Sequence, residues 1–213
     1  MSNPLNNSKK MSNKEVLLAT VSGGVCIALS FVLSQLKLFE MPMGGSVTPA
    51  SSLPIAIYAA AYGPVWGGIA ALVYSIIQLI QGLGYFVTPF QMFLDYIMGY
   101  LALGIIGFAA PSFNVRRNIS NPLKRFAKAG LMKAMVFTVI AYIVRWFCSV
   151  LSGVIFYAEY APEGMNPWVY SMAYNGSFLA ADLVIVLAVM AAFYGVVKTG
   201  TKTSSAPASQ SAQ

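Results

Sequence analysis

Histidine is absent from this sequence, and charged residues are scarce. None of the 213 residues is a histidine, and Asp, Glu, Lys and Arg together make up 9% of the chain, against about 25% in a soluble domain. The missing histidine excludes His-based acid–base catalysis, Ser-His-Asp triads and histidine metal sites. With 58% apolar residues, the composition excludes soluble folds, disorder and coiled coils, and it predicts an all-α integral membrane protein.

Cysteine is also rare, and phosphate-binding motifs are missing. The two cysteines, Cys26 and Cys148, lie in apolar runs, so we interpret them as packing residues rather than a disulfide or a redox pair. The sequence has no Gly-Lys-Ser/Thr loop that would cradle a nucleotide phosphate, so the chain cannot hydrolyse ATP itself. It also lacks a cluster of carboxylates. We therefore predict neither an enzyme nor a metal site.

The gaps between charged residues predict six membrane-spanning helices. A span needs about 20 mostly apolar residues. Between Glu15 and Lys37 lie 21 uncharged residues, which predict the first span. Between Glu40 and Asp95 lie 54, which predict two spans separated by a break at residues 61–64, although the second span has only about 10 to 16 residues before that break. The last three spans are predicted over residues 89–111, 129–157 and 168–197.

The basic residues predict the orientation of the chain. They form three groups: Lys9, Lys10 and Lys14 before the first span; Arg116, Arg117, Lys124, Arg125 and Lys128 between the fourth and fifth; and Lys198 and Lys202 after the sixth. With six spans, all three groups and both termini lie on one side of the cell membrane, which the positive-inside rule makes the cytoplasm. We expect a cytoplasmic tail over residues 1–14, a membrane domain over 15–198 and a disordered cytoplasmic tail over 199–213.

Three charged residues lie within predicted spans and are candidates for function. Charges inside a membrane are costly, and most of them are functional. Arg145 and Asp182 lie about midway along the fifth and sixth spans. They can pair and hold those helices together, or Arg145 can serve a binding pocket. Asp95 lies about 9 Å below the outer end of the fourth span, as estimated from the helical rise.

Polar and aromatic residues at a depth similar to that of Asp95 indicate a pocket. Tyr157 ends the fifth span, and Tyr170 and Asn175 begin the sixth. A carboxylate flanked by aromatic rings suits a cationic small molecule. The alternatives are that these polar residues only join helices through hydrogen bonds, and that the aromatic residues form an interfacial belt.

Two further segments carry weaker signals. The first outer loop, residues 40–49, is rich in Gly and Pro and nearly uncharged, which favours either a cover over a pocket or an ordinary interfacial turn. Small residues follow a four-residue spacing in the first span, at Thr20, Gly24 and Ala28. Such a stripe lets another helix approach closely, but it is also common by chance.

Four stretches of the sequence resemble one family. They are residues 37–47, 62–64, 93–96 and 153–176, the last including Tyr170-Ser171-Met172-Ala173-Tyr174-Asn175-Gly176. They are similar to the thiamine-specific substrate-binding (S) components of energy-coupling-factor (ECF) transporters, the YuaJ/ThiT-like family. The resemblance implies a six-helix protein that captures a vitamin outside the cell, docks onto a transmembrane subunit, and depends on two ATP-binding subunits for energy, with no cofactor of its own.

The resemblance also implies residue roles. It places the substrate pocket at Asp95, Tyr96, Arg145, Ser149, Tyr157, Tyr170 and Asn175. It places the docking face for the transmembrane subunit at Thr20, Gly24 and Ala28.

This chain departs from the family pattern inside the implied pocket. Asp95 stands where the family has Glu, Ser149 where it has His, and Tyr157 where it often has Trp. A different cationic or aminopyrimidine vitamin is therefore an alternative substrate. The alternatives from other classes are a small membrane enzyme, a structural or assembly protein, and a stand-alone secondary transporter, which commonly has paired repeats that this chain lacks.

Overall fold

The computed structural model describes residues 11–42, 44–82 and 88–203, most of which are helical. Helices are numbered here in chain order: α1 (Asn13–Gln35), α2 (Leu53–Tyr62), α3 (Pro64–Gln81), α4 (Pro89–Ala109), α5 (Phe113–Arg117), α6 (Pro122–Ala129), α7 (Leu131–Phe156) and α8 (Pro167–Thr203). A small antiparallel hairpin, β1 (Phe39–Glu40) and β2 (Ser46–Val47), lies between α1 and α2. A short 3₁₀ turn, Ala158–Tyr160, follows α7. The predicted basic residues Lys9 and Lys10 lie outside the described residues.

Five helices of the described chain are long and apolar enough to cross a membrane: α1, α3, α4, α7 and α8. The predicted second span is α2, which has 10 residues and is therefore about 15 Å long. That is about half of the hydrocarbon thickness of a bilayer. The chain is a multi-pass membrane protein with five full-length candidate spans and one short apolar helix.

Helix α2 is enclosed by the other helices rather than exposed to lipid. Ile55 and Ala59 have no exposed surface. The Tyr58 hydroxyl donates to the carbonyl of Ala19 on α1 at 2.9 Å. Gly63, with a φ of 94°, forms the tight turn into α3. An alanine-rich helix of small cross-section therefore fits between its longer neighbours.

Helix α4 departs from regular α-geometry in two places. Its middle, Phe93–Met98, is a π-helix, and its end, Ala102–Ala109, is a 3₁₀-helix. The 3₁₀ segment contacts α3 backbone to backbone: a Cβ added to Gly107 would lie 2.4 Å from the Cα of Pro64. The glycine therefore permits an approach that no other residue allows.

Helix α8 is longer than the sequence predicts. It begins at Pro167 and continues to Thr203, past residue 199, where the predicted C-terminal tail begins. The rest of the predicted tail, residues 204–213, lies outside the described residues.

The helices place two groups of loops at opposite ends of the molecule. One end, here called the basic end, holds the start of α1, the α2–α3 turn, α5 and α6, with Arg116, Arg117 and Arg125. The other end, here called the loop end, holds the β-hairpin, the end of α3, the start of α4 and the start of α8. This arrangement positions the candidate site at the loop end.

Candidate functional site

A cavity of about 200 Å³ opens at the loop end between the hairpin, α3, α4, α7 and α8. It is smaller than the roughly 300–1,000 Å³ of typical ligand pockets. The structure brings all seven sequence-predicted pocket residues to its wall: Asp95, Tyr96, Arg145, Ser149, Tyr157, Tyr170 and Asn175.

Asp95 is held by hydrogen bonds from two neighbouring side chains. Ser152 on α7 donates to Oδ2 at 2.6 Å, and Gln91 donates to the same oxygen at 3.4 Å. Gln91 also donates to the Tyr157 hydroxyl at 2.7 Å. A carboxylate can accept about four hydrogen bonds, so Asp95 is oriented by the protein and still able to accept from a ligand.

The π-helical turn decides which residues of α4 reach the cavity. Asp95, Tyr96 and Tyr100 all line it, although a regular α-helix would place residues 95 and 100 on different faces. In a π-helix the backbone hydrogen bond joins residues five apart. The five-residue step from Asp95 to Tyr100 therefore brings both side chains to the same face.

Arg145 lines the cavity as a cation without an acidic partner. Its guanidinium carbon lies 4.1 Å from the centroid of the Tyr100 ring, a cation–π distance. Within the described part of the chain, its N–H groups make no hydrogen bond and no ion pair. The expected ion pair between Arg145 and Asp182 is therefore not formed. The guanidinium is available to a hydrogen-bond acceptor on a ligand.

Asp182 is satisfied by neutral donors instead. The backbone N–H and the hydroxyl of Thr48 donate to its Oδ1 at 3.0 and 2.9 Å. The Tyr142 hydroxyl donates to its Oδ2 at 2.6 Å. Tyr142 also lies 5.9 Å from Arg145, ring centroid to guanidinium carbon. These bonds join the first outer loop to α7 and α8 at the floor of the cavity.

Asn175 both joins helices and lines the cavity. Its amide nitrogen donates to the carbonyls of Ser149 and Ser171 at 3.2 and 3.0 Å. Its Oδ1 accepts no hydrogen bond from the described residues. The two interpretations of this polar stripe, helix joining and ligand binding, are therefore compatible at this residue.

The first outer loop forms one wall of the cavity. The Tyr174 hydroxyl on α8 donates to the Gly44 carbonyl at 3.1 Å. Gly45 has a φ of 90°, and a Cβ added to it would lie 2.6 Å from the Phe178 ring. Gly45 is therefore required both by backbone conformation and by space, and it keeps the loop packed on α8.

The predicted docking stripe does not contribute to the cavity. Thr20, Gly24 and Ala28 are exposed on the outer face of α1, and a Cβ added to Gly24 meets nothing within 4 Å. The adjacent Gly23 instead faces inward against the Tyr58 ring. The stripe is a smooth face without a partner among the described residues.

Sequence reasoning missed several cavity residues. Among them are Gln91, Tyr100 and Tyr174. Ser152 does not line the cavity but supports it through its hydrogen bond to Asp95. Gln91 lies four residues before Asp95, a spacing that places both on one face of a helix, so this residue could have been found. Tyr100 lies four residues after the predicted pocket residue Tyr96, so the same spacing could have found it.

The fold and the cavity define a membrane protein that binds a small polar ligand. The cavity offers a carboxylate, a guanidinium, an amide and several tyrosines, and nothing in their arrangement forms a nucleophile–base pair. The chain belongs to the thiamine transporter protein (Thia_YuaJ) family, whose model matches residues 20–200. It is thus a transport protein and not an enzyme, as the sequence predicts.

Individual relatives agree with this assignment. The chain is 27% identical over 182 residues to the thiamine transporter ThiT of Bacillus subtilis, covering 84% of this chain and 92% of the relative. It is 31% identical over 143 residues to the thiamine transporter ThiT of Lacticaseibacillus paracasei, covering 65% and 68%. The solved structure of ThiT from Listeria monocytogenes shares the fold, with a TM-score of 0.63 at 20% identity, over 88% of this chain and 95% of that one.

Proposed function

We propose that this chain is the substrate-binding component of an ECF transporter and that it binds thiamine in the loop-end cavity. The observation that carries the proposal is the oriented carboxylate of Asp95 in an aromatic-lined cavity, in a chain that belongs to the thiamine transporter family. Both relatives described above are named thiamine transporters.

The cavity matches the chemistry of thiamine in charge and in hydrogen bonding. The thiazolium ring of thiamine is permanently cationic, which favours a nearby anion and aromatic faces such as Asp95, Tyr157 and Tyr170. The aminopyrimidine ring carries donors and acceptors. The free Oδ1 of Asn175 can accept from its amino group, and Arg145 can donate to an acceptor of the ligand. Tyr96 and Ser149 complete the proposed substrate contacts.

The transport cycle needs other subunits. The chain has no ATP-binding loop, so the proposal assigns ATP hydrolysis to two partner subunits and gives this chain no cofactor. The exposed stripe of Thr20, Gly24 and Ala28 is the proposed contact with the transmembrane subunit, because small side chains allow close helix packing.

The proposed topology counts α2 as the sixth membrane helix. Both termini and the basic end then face the cytoplasm of a bacterial cell, and the loop end opens to the outside. The division that follows is a cytoplasmic tail to residue 14, a membrane domain, and a cytoplasmic tail after residue 203, with α8 extending past residue 198.

Native mass spectrometry tests the ligand directly. The detergent-purified chain is mixed with equal amounts of thiamine, riboflavin and a free aminopyrimidine, and the bound mass is read. The proposal predicts a one-to-one thiamine adduct. A preferred adduct of the aminopyrimidine alone would favour the alternative substrate class. That class is the main alternative because the side chain of Asp95 is shorter than the Glu of the family. No adduct with any of the three would contradict the proposed site.

A further inference from the structure

A second cavity, of about 270 Å³, lies at the basic end, remote from the thiamine site. The start of α1, the α2–α3 turn, α5 and α6 enclose it. Arg116, Arg117 and Arg125 line it, and Glu15 is the acid among its lining residues. The wall therefore carries an excess of two positive charges.

Arg125 is buried beside this cavity without an anion. Only 3% of the residue's surface is exposed. Its Nε donates to the Ile119 carbonyl at 2.6 Å, and its guanidinium carbon lies 4.9 Å from the Tyr62 ring centroid. Its two terminal nitrogens have no acceptor, and it has no ion pair, anywhere in residues 11–42, 44–82 or 88–203. A buried cation normally requires a partner.

Arg116 has the same deficit. Its side chain donates to the Tyr62 carbonyl, but its Nε is buried with no hydrogen-bond partner among the described residues. Burial, and after it the charge of Arg125, lowers the pKa of Arg116. Glu15 acts on the arginines only at longer range: its carboxylate accepts the backbone N–H of Ser12 at 2.7 Å and interacts with the charges of Arg117 and Arg125, but it forms no ion pair with an arginine in the described chain.

Apolar side chains stand next to these arginines. Val65, at the start of α3, is 72% exposed and lines the same cavity as Trp66. A wall that is cationic on one side and apolar on the other matches a ligand with a phosphate and a hydrocarbon part. The ends of membrane helices also lie at the level of the lipid headgroups, where tryptophan is enriched.

We propose that this cavity binds the phosphate group of an anionic phospholipid. Arg116 and Arg125 donate to the phosphate oxygens, since guanidinium groups bind phosphate in a forked geometry. Arg117 adds charge at the rim, and the acyl chains lie along Val65 and Trp66. Basic pockets between membrane helices bind lipid headgroups in this way. The site fixes the α2–α3 turn, and with it the short helix α2, to the membrane surface.

Lipid retention measured by native mass spectrometry tests this proposal. The full chain is extracted from nanodiscs that contain equal amounts of phosphatidylglycerol and phosphatidylcholine. We expect one phosphatidylglycerol to be retained about tenfold more often than phosphatidylcholine, as expected when charge-assisted hydrogen bonds are formed. Arg125→Gln should abolish this preference. Arg117→Gln, at an exposed position with little effect on folding, should reduce it at least about threefold.

Lys128→Gln is the matched control, because it removes one charge from an exposed residue of the same end that does not line the cavity. It should retain phosphatidylglycerol like the wild type. Equal retention of phosphatidylglycerol by Arg117→Gln and Lys128→Gln would overturn the proposal. An acidic segment of a partner protein would then be the remaining candidate ligand of the cavity. Displacement of the lipid by inorganic phosphate alone at the same concentration would overturn the lipid assignment in favour of a free phosphate.

Discussion

At the scale of single residues, the buried charges of this protein are separated rather than paired. Asp182 is satisfied by Thr48 and Tyr142, and Arg145 rests on Tyr100 with its N–H groups free within the described chain. The sequence indicated that both charges are important and left open whether Arg145 pairs with Asp182 or serves the pocket. The position of a residue along its helix predicts how deep it lies in the membrane. It does not predict a partner such as Thr48, which lies in a loop more than 130 residues from Asp182.

This separation predicts a specific pattern of stability. Asp182→Leu should lower the free energy of unfolding by about 2–5 kcal/mol, because Thr48 and Tyr142 lose their acceptor. Adding Arg145→Met should not recover that loss, because Arg145 is not the partner of Asp182. Thermal unfolding in detergent of Asp182→Leu, of Arg145→Met and of the double variant measures these stability changes. Partial recovery in the double variant would show a direct pair instead.

At the scale of secondary-structure elements, the long helices and the shortness of α2 were predictable, whereas the irregular turns of α4 were not. The predicted spans gave α1, α4, α7 and α8 to within a few residues at most ends. The short length of α2 follows from the break at residues 61–64, which the sequence shows. The π-turn of α4 leaves no periodic signal, so the sequence does not predict that Asp95 and Tyr100 share a face.

The first outer loop depends on one glycine. Gly45→Ala should weaken thiamine binding, because the new Cβ combines backbone strain of about 1–2 kcal/mol with a contact 2.6 Å from Phe178. Gly164→Ala is the control: Gly164 has a similar φ of 81°, but a Cβ there meets nothing within 4 Å. Affinities from calorimetry should separate the two variants. If both weaken binding equally, the Phe178 contact does not hold the loop.

Helix α1 gives a second test at this scale. Gly24→Leu should leave thiamine binding unchanged and prevent assembly with the transmembrane subunit, because the side chain holds the helices apart. Gly195→Leu on α8 is matched, since its added Cβ also meets nothing within 4 Å. Copurification of each variant with the transmembrane subunit measures assembly. If the Gly24→Leu variant assembles as well as the Gly195→Leu variant, the docking face lies elsewhere on the protein.

At the scale of the whole molecule, the proposed orientation connects the two cavities to the two sides of the membrane. Single cysteines at Ser120 and at Glu163, in a chain without Cys26 and Cys148, should be labelled from opposite sides. An impermeant thiol reagent added to intact cells should reach only the cysteine at position 163. Labelling of position 120 from outside would reverse or refute the topology.

The central claim is that Asp95 holds thiamine in the loop-end cavity, and a calorimetric titration tests it most directly. Calorimetry is preferred because Trp66, Trp146 and Trp168 are not among the lining residues. The wild type should bind one thiamine, and Asp95→Asn should bind it about 10- to 150-fold more weakly, the cost of a lost charge-assisted hydrogen bond. Glu163→Gln, at an exposed position outside the cavity, should bind like the wild type. Equal affinity of the wild type and Asp95→Asn, or no saturable binding by the wild type, would contradict the account.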